Sequence, residues 1–429
     1  MAPSLEKFLA QHLGALDSTH PFHATKQQAA AAFQHQGLPT PRQEAYKYTP
    51  LASLLTKHFA HSEPTAPGLA PGPGVAEIYR PLAARHLVLL DGQLSTKHLQ
   101  PAGGQAQILT FQEAYRQQHP AFLAHFARHA QSKADALVAL NTALFETGTF
   151  IHIPANTSVA TPLCLHQHTA ASAAHTITHP RLLVVAGQHS QAHIITTWHT
   201  TGLANAVAEV ALETGARLDY YTLQTAMGPQ HVQLNTTQCH QAARSLLNTY
   251  TFTWTGALVR NNLNHVINAG HTETNMYGLY CLHGQQHVDN CTTVDHCQPH
   301  TTSRELYKGL LRDAATGVFN GRIYVRPAAQ KTNALQTNNN LVLSDQATLH
   351  TKPQLEIWAD DVKCSHGATT GQLDAAQLFY LQTRGLPAAM AGALLRQAFA
   401  HEVIDKVPLE ALRTVLQTSW AAQDGSTAA

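Results

Sequence analysis

A cysteine and a histidine two residues apart, Cys364 and His366, are the side chains whose types and spacing most directly suggest chemistry. They follow a run in which Leu355, Ile357 and Ala359 alternate with other residues, a period of two that predicts a half-buried strand. If the extended backbone continues, both side chains project from one face of that strand. A thiolate beside an imidazole is a ligand pair for iron or zinc.

The residues around this pair predict its environment. The positive charge of Lys363 is expected to lower the pKa of the neighbouring thiol. Gly367 and Gly371 are expected to break the strand, and Asp374 to cap a helix that ends at Gly385. On residue types alone, however, such a pair is more often a buried thiol beside an unrelated histidine.

A second segment, residues 261–300, is rich in histidine and holds three cysteines. Its histidines are His265, His271, His283, His287, His296 and His300. The spacing of four between His283 and His287 gathers ligands on a helix, but this segment predicts strands and turns, where four residues span over about 10 Å. Histidine-rich turns are therefore the simpler interpretation, with His296 and His300 kept as weaker metal candidates.

Composition and missing motifs exclude several functions. No GxxxxGK[ST] phosphate loop occurs, so the chain is not expected to hydrolyse ATP, and neither a GxGxxG opening a helix nor a GxSxG elbow is present. Charged residues make up 12%, about half of the usual ~25%, while 30 histidines occur. A net charge of +1 argues against nucleic acid or an anionic membrane as partner. The six cysteines lack disulfide or zinc-ribbon spacing, which suits the reducing cytoplasm.

The elements that would position these residues are mostly strands. From Thr149 to about Val362, short β-rich runs follow one another, which predicts an all-β body. Periodicity alone does not decide between a sandwich and a solenoid, but glycines spaced at multiples of about 14 residues favour a parallel β-helix. These are Gly187, Gly202, Gly215, Gly228, Gly256, Gly270 and Gly284.

Helical patterns flank this body on both sides. Residues 1–148 predict helices, a Pro/Gly-rich loop at 62–75 and a strand and turn from Arg85 to Ser95. Apolar faces are expected at Leu5, Phe8 and Leu9, and at Ala29, Ala30 and Phe33. Residues 367–429 predict helices with an apolar stripe that either packs on the β body or docks another protein. The stripe comprises Ala391, Leu394, Leu395, Ala398, Phe399 and Val403.

Several stretches resemble the SufB/SufD family, the scaffold subunits of the SUF iron–sulfur cluster assembly system. They are LEIWADDVKCSHGATTGQLDAAQLFYLQTRGLP, YKGLLRDAATGVFNGRIYV, AQKTNALQTNNNLVLS, TKPQ and, near the start, GLPTPRQEAYKYTPL. SufB-type chains have EHEATT where this chain has CSHGATTG, and carry an N-terminal cysteine motif, whereas here no cysteine precedes Cys164. Both departures favour the SufD branch.

The resemblance implies a right-handed parallel β-helix over residues 149–366, flanked by helical regions. It implies a SufB-like paralogue as partner, whose terminal strand meets this one so that His366, with Cys364, faces the partner's cysteine. A transient iron or iron–sulfur cluster would form there, and no permanently bound cofactor is expected in the isolated chain. It also implies a SufC-like ATPase bound by the C-terminal helices, so the apolar stripe is expected both to pack on the β body and to dock that partner. A homodimer is possible in isolation. The docking candidates are Arg384, Leu394, Leu395, Phe399 and Val403.

Two other functions remain open at this point. A carbohydrate-active β-helix enzyme would require clustered carboxylates, and Asp360 with Asp361 is the acidic pair of the β region. A zinc-dependent hydrolase would use the 265–300 segment. We expect a non-enzymatic scaffold.

Overall fold

The described part of the chain is dominated by short strands, as the sequence predicts. The computed structural model describes residues 11–51, 53, 60–61, 78–79, 81–95, 105–169 and 176–424. Two expectations lie outside these residues, the apolar face at Leu5, Phe8 and Leu9 and the Pro/Gly-rich loop at 62–75.

The elements are numbered here in chain order. The helices are α1 His23–Gln36, α2 Phe111–Arg116, α3 Pro120–His125, α4 Ala136–Leu144, α5 Ala375–Thr383, α6 Ala388–Ile404 and α7 Glu410–Asp424, with a 3₁₀ turn at Glu44–Tyr46. The strands are β1 Ala60–His61, β2 Arg85–Leu90, β3 Gln93–Leu94, β4 Gln107–Thr110, β5 Thr149–Ile153, β6 Leu163–His168, β7 Thr176–Thr178, β8 Arg181–Ala186, β9 Gln191–His199, β10 Leu203–Leu212, β11 Arg217–Gln224, β12 Val232–Gln241, β13 Leu246–Thr253, β14 Leu258–Ile267, β15 Glu273–Leu282, β16 His287–His296, β17 Thr302–Leu311, β18 Thr316–Val325, β19 Asn333–Val342, β20 Thr348–Ile357 and β21 Lys363–Gly371.

The strands form a parallel β-solenoid, which confirms the β-helix and excludes the sandwich. From β8 onward each strand pairs in parallel with the strand two positions along the chain, so that each coil contributes one strand to each sheet. The two sheets run β20-β18-β16-β14-β12-β10-β8-β5-β4 and β21-β19-β17-β15-β13-β11-β9-β6-β2-β3. Leu203 pairs with Val232 and Val232 with Leu258, so successive coils take 29 and 26 residues. The glycine spacing of about 14 is half a coil.

Alternating side chains build an interior core and an outer face. The interior cluster includes Ile194, Val210 and Met276, all fully buried between the sheets. On the outer face of the β21-to-β3 sheet, the rings of Tyr221 and Tyr250 stack at 4.6 Å in paired positions of β11 and β13. Burial of every second residue on each side explains why the strand-like periodicity is readable in the sequence.

The N-terminal region joins the solenoid more closely than the sequence indicates. The strand expected at Arg85–Leu90 pairs in parallel with β6 and so extends one solenoid sheet. Helix α4 lies against the other sheet, where the buried Arg181 donates to the side chains of Asn141 and Thr142 and to the Glu209 carboxylate at 2.8 Å. This buried network holds α4 on the coils, since breaking one member would leave an unpaired charge in the interior.

The C-terminal helices pack along the outer face of the β21-to-β3 sheet. Val403 of α6 and Leu412 and Trp420 of α7 are buried there in a cluster that also contains Tyr250. The Asp424 carboxylate accepts from Arg396 at 2.8 Å, which ties α7 to α6. None of the described helices is long and apolar enough to cross a membrane.

Candidate functional site

The last strand of the solenoid, β21, carries both Cys364 and His366. The strand predicted from Gln354 onward is interrupted: β20 ends at Ile357, and β21 begins at Lys363. The expectation that Gly367 breaks the strand is wrong, because β21 continues past it and pairs in register with β19 throughout. The strand ends at Gly371, the other residue expected to break it. His366 therefore lies within the last strand, where the paired backbone holds its position.

Cys364 and His366 share the face of β21 that continues the solenoid interior. Cys364 pairs with Ala334, a buried member of the interior core, and itself packs against that core. His366 pairs with Gln336, which follows Ala334 on the same face of β19. Their Cα atoms lie about 6.6 Å apart along the strand, close enough for both side chains to approach one small cluster. The geometry thus brings the predicted pair together.

The expected activation of Cys364 by Lys363 is wrong. Successive residues of a strand point to opposite faces, so the Lys363 side chain leaves on the side away from the thiol. Partial burial raises the pKa of Cys364, and a hydrogen bond with the Ala334 backbone opposes that rise. The thiol is consequently neutral in the isolated chain at neutral pH, and a bound metal would have to displace its proton.

The site lies at the open end of the solenoid. β20 and β21 are the last strands of the two sheets, and each presents an edge with no further strand among the described residues. His366 is exposed, and nothing lies within 4 Å of the position that a Cβ would take at Gly367. Another chain can therefore approach His366 from this end of the solenoid.

Sequence reasoning missed two polar residues that lie behind His366. Glu305 pairs with Gln336, which pairs with His366, so the three occupy one interior row on successive coils. Gln336 donates to the Glu305 carboxylate at 2.7 Å, and burial raises the pKa of Glu305 to about 7. Glu305 and His366 are some sixty residues apart in the chain, and no local sequence pattern predicts that they align.

His296 and His300 have other roles than holding a metal. His296 is fully buried, and its Nδ1 and Nε2 form hydrogen bonds with the hydroxyls of Thr301, at 2.7 Å, and Ser303, at 2.9 Å. With both ring nitrogens in hydrogen bonds, no lone pair is free for a ligand bond. His300 occupies a left-handed turn position (φ 57°) and stacks on His271 of the preceding coil at 5.1 Å.

The remaining histidines of the 265–300 segment do not converge. His265 is buried in the interior, His287 lies at the start of β16 near Thr49, and His283 lies in a turn against Gln423. These side chains are separated by the two faces of the coil. The interpretation as histidine-rich turns and core positions therefore describes the segment better than a zinc centre does.

The apolar stripe of the C-terminal helices divides into two parts. Val403 is fully buried against the solenoid and Phe399 is half-buried, with the Lys308 ammonium 4.0 Å from its ring centroid. The expectation that Val403 docks an ATPase is therefore not kept, because no partner can reach it. Leu394 is 41% exposed, Leu395 is half-buried, and Arg384 reaches the Tyr380 hydroxyl at the end of α5.

A more exposed apolar surface lies on α5 and the first half of α6. It comprises Phe379 at 67%, Tyr380 at 56%, Met390 at 49% and Leu394 at 41% exposed, and is called here the α5–α6 patch. Of its members, only Leu394 was singled out from the sequence. The signal was available in the run LFYLQ, but the helical period alone does not tell which face the solenoid covers.

Comparison with known proteins identifies the family. The sequence model described as "SUF system FeS cluster assembly, SufBD core domain" matches residues 168–399, and that described as "SufBD protein N-terminal region" matches residues 9–165. An iron–sulfur cluster assembly SufBD family protein of Synechocystis sp. is 31% identical over 90% of this chain and 88% of its own length. The iron–sulfur cluster assembly protein SufD of Escherichia coli is 30% identical over 88% and 87%, and that of Bacillus subtilis is 27% identical over 65% of each.

The core match spans the solenoid coils that carry the Arg181–Glu209 pair and the Cys364–His366 row as well as helix α5, and it ends within α6. Family membership therefore covers both the site and the framework that positions it. The chain belongs to the SufBD family of iron–sulfur cluster assembly proteins.

Proposed function

We propose that this chain is a scaffold subunit that contributes Cys364 and His366 to a site where an iron–sulfur cluster forms between two chains. The observation that carries the proposal is the placement of both side chains on one face of β21, the last strand of its sheet, whose outer edge has no partner strand among the described residues. The names of the relatives support the biological context, since they describe iron–sulfur cluster assembly proteins.

The Cys364 thiolate and the His366 imidazole suit a cluster that is bound transiently and then transferred. Thiolate and neutral imidazole both ligate iron, and replacing thiolate by imidazole is known chemistry for [2Fe–2S] centres. Two ligands from one chain leave an iron centre incomplete, so the remaining ligands have to come from a partner or from sulfide. An incomplete set on each chain makes the cluster a shared cargo and allows its release when the chains separate.

The partner that best fits the open edge is a SufB-like paralogue. The edges of β20 and β21 present unpaired backbone groups, and another solenoid of the same kind offers the complementary edges. Pairing there would place the partner's residues next to His366. The same edges allow a homodimer when this chain is alone.

The α5–α6 patch is the proposed contact for a SufC-like ATPase. Its four large side chains are exposed, and Arg384 lies next to one of them, with its guanidinium 3.3 Å from the Tyr380 hydroxyl. Exposed aromatic and apolar side chains with an arginine are a composition that protein interfaces favour. The chain has no phosphate loop of its own, so ATP hydrolysis would come from that partner.

The alternative enzymes gain no support from the site. Asp361 lies in a turn and forms an ion pair with Lys331, and Asp360 is exposed beside it. Two carboxylates in a single exposed turn do not flank a groove in the way glycoside hydrolysis requires.

The test is the change His366→Ala in the complete assembly with both partners. We expect unchanged folding and complex formation but at least a ~10-fold fall in cluster yield, because loss of a ligand exceeds the roughly 10–100-fold effect of second-shell changes. Cluster formation is followed by absorbance and by activation of an apo-ferredoxin. His366→Cys should restore part of the yield.

Ser365→Ala is the matched control, since Ser365 is exposed on the same strand but on the opposite face. It should behave like the parent chain. A normal yield from His366→Ala, with both partners bound, would show that His366 is structural and that the proposed site is wrong.

A further inference from the structure

Two histidines and a cysteine meet at the other end of the solenoid, on the outer face of the first coils. His86 of β2 pairs with Cys164 of β6, and His166 follows on the same face of β6. One ligand atom from each of the three side chains lies within 4.8 Å of the other two. His86 Nδ1 and His166 Nε2 are 2.8 Å apart.

The hydrogen bonds around these rings favour a particular proton arrangement. His86 Nε2 lies 3.3 Å from the Leu82 carbonyl oxygen, which can only accept, so Nε2 carries the proton and Nδ1 presents its lone pair. His166 Nδ1 lies 2.8 Å from the Thr197 hydroxyl, which in turn lies 2.9 Å from His199 Nε2. When Thr197 donates to His199, His166 donates from Nδ1 and presents a lone pair at Nε2.

In that arrangement two lone pairs and a thiol point at one another, and a cation between them would satisfy all three. The opposite proton order gives a plain hydrogen-bonded chain from His199 through Thr197 and His166 to His86. The two proton arrangements can be distinguished by metal binding, since only the first offers the His86, Cys164 and His166 ligand atoms at once. The polar partners on the far side of His166 have the form of a second shell that orients a metal-bound imidazole.

We propose that His86, Cys164 and His166 bind a divalent metal ion of borderline softness, with Zn²⁺ as the best match. Two imidazoles and one thiolate suit Zn²⁺ in a tetrahedral site whose fourth position takes water or another donor.

The metal would fasten the first strand to the solenoid. β2 is held in its sheet by β6 on one side and by the two-residue strand β3 on the other. A repeat structure needs its terminal coils capped, because each coil is stabilised only by its neighbours. This site is seven strands from β21, roughly 33 Å along the sheet, and is therefore separate from the proposed cluster site.

The experiment uses full-length protein carrying Cys364→Ala and His366→Ala, so that the proposed cluster site cannot bind the probe. Co²⁺ is titrated into the chelator-treated protein. We expect one equivalent to bind with a thiolate-to-cobalt charge-transfer band and tetrahedral d–d bands, and Zn²⁺ to displace it and raise the melting midpoint. His86→Gln should remove both the bands and the Zn²⁺-dependent rise.

Thr197→Val removes the hydroxyl that bonds His166 Nδ1 without touching a proposed ligand atom, and should weaken Co²⁺ binding by roughly 10–100-fold. His350→Gln is the matched control, since His350 is also half-buried and also stacks on a ring, that of Tyr48; it should bind like the parent. A parent that shows no charge-transfer band, or a His86→Gln variant that binds Co²⁺ like His350→Gln, would overturn the proposal and leave the hydrogen-bonded chain.

Discussion

Glu305 is a carboxyl group enclosed in the interior of the solenoid, one coil behind Gln336 and two behind His366. Its exposed fraction is 4%, and no charged residue contributes to its pKa shift, which is dominated by burial and opposed by the neighbouring Thr292 and Gln336 side chains. With a pKa raised to about 7, it is protonated below neutral pH in the native chain.

This residue makes stability pH-dependent in a defined direction. In the unfolded chain Glu305 ionises near pH 4.3, whereas in the native chain it does so near 7, so stability falls as pH rises between these values and stays lower above them. Glu305→Gln removes that penalty. We expect the variant to be more stable than the parent by about 3–4 kcal/mol at pH 8 and nearly equal at pH 4. Melting midpoints recorded across this range measure the difference.

Glu356→Gln is the control, because Glu356 is exposed on β20. It should change the midpoint little at any pH. If Glu305→Gln is as pH-dependent as the parent, then the titration of Glu305 does not control this stability.

At the scale of elements, α6 has one face buried on the solenoid and one face exposed beside α5. Val403 and Ala400 of α6 are fully buried against the solenoid, while Phe379 and Leu394 point away from it. Small and branched residues thus anchor α6, whereas α5 has no buried residue and presents large side chains to solvent. Exposed apolar side chains gathered in one place are typical of an interface.

Adding a charge is expected to weaken ATPase binding on the exposed face and to lower the melting midpoint on the buried face. Phe379→Asp and Leu394→Asp should each weaken binding of a SufC-like ATPase by about 2 kcal/mol, roughly thirtyfold, without changing the melting midpoint. Val403→Asp should instead lower the midpoint, since it buries an unpaired charge. Titration calorimetry with the ATPase and thermal melts measure both.

Leu123→Asp provides a matched control: Leu123 lies on α3 and is 40% exposed, against 41% for Leu394. ATPase binding by this variant should equal that of the parent. Undiminished binding by both Phe379→Asp and Leu394→Asp would return the α5–α6 patch to an ordinary solvent face.

At the scale of the whole molecule, the solenoid is open at the β20 and β21 end. The N–H of Lys363 donates to Thr332 of the previous coil at 2.8 Å, so in β21 the alternate residues, including Ala368, direct their backbone groups toward the open edge. Those groups are the proposed pairing surface for a SufB-like chain.

Ala368→Pro should block this pairing. Proline removes an outward N–H without removing a bond to β19, and edge strands tolerate it. We expect at least ~10-fold weaker association with the paralogue, about 1.4 kcal/mol, with unchanged secondary structure. Light scattering after size-exclusion chromatography measures the complex.

Ala368→Val retains the N–H and should associate normally, apart from a small effect of the larger side chain. Equal association of the proline and valine variants would mean that the two chains meet through side chains rather than through strand pairing.

Much of this architecture is readable from local patterns. Alternating apolar residues and regular glycines predict the β-helix, because every coil repeats the same burial of every second residue. Asp374 caps α5 through the backbone N–H groups of Ala376 and Gln377, as predicted, since capping involves only neighbouring residues. The spacing of Cys364 and His366 likewise suffices to place both on one face of an extended strand.

Only the tertiary structure decides which face that is and what lies behind it. Lys363 lies beside Cys364 in sequence yet on the other side of the strand, while Glu305 lies some sixty residues away yet in the same row as His366. Long-range pairing also sets the register across coils. It decides that Val403 is covered and that His86 meets Cys164 and His166. Such pairing is set by the packing of the whole solenoid, because a shift of one residue would exchange its inner and outer faces.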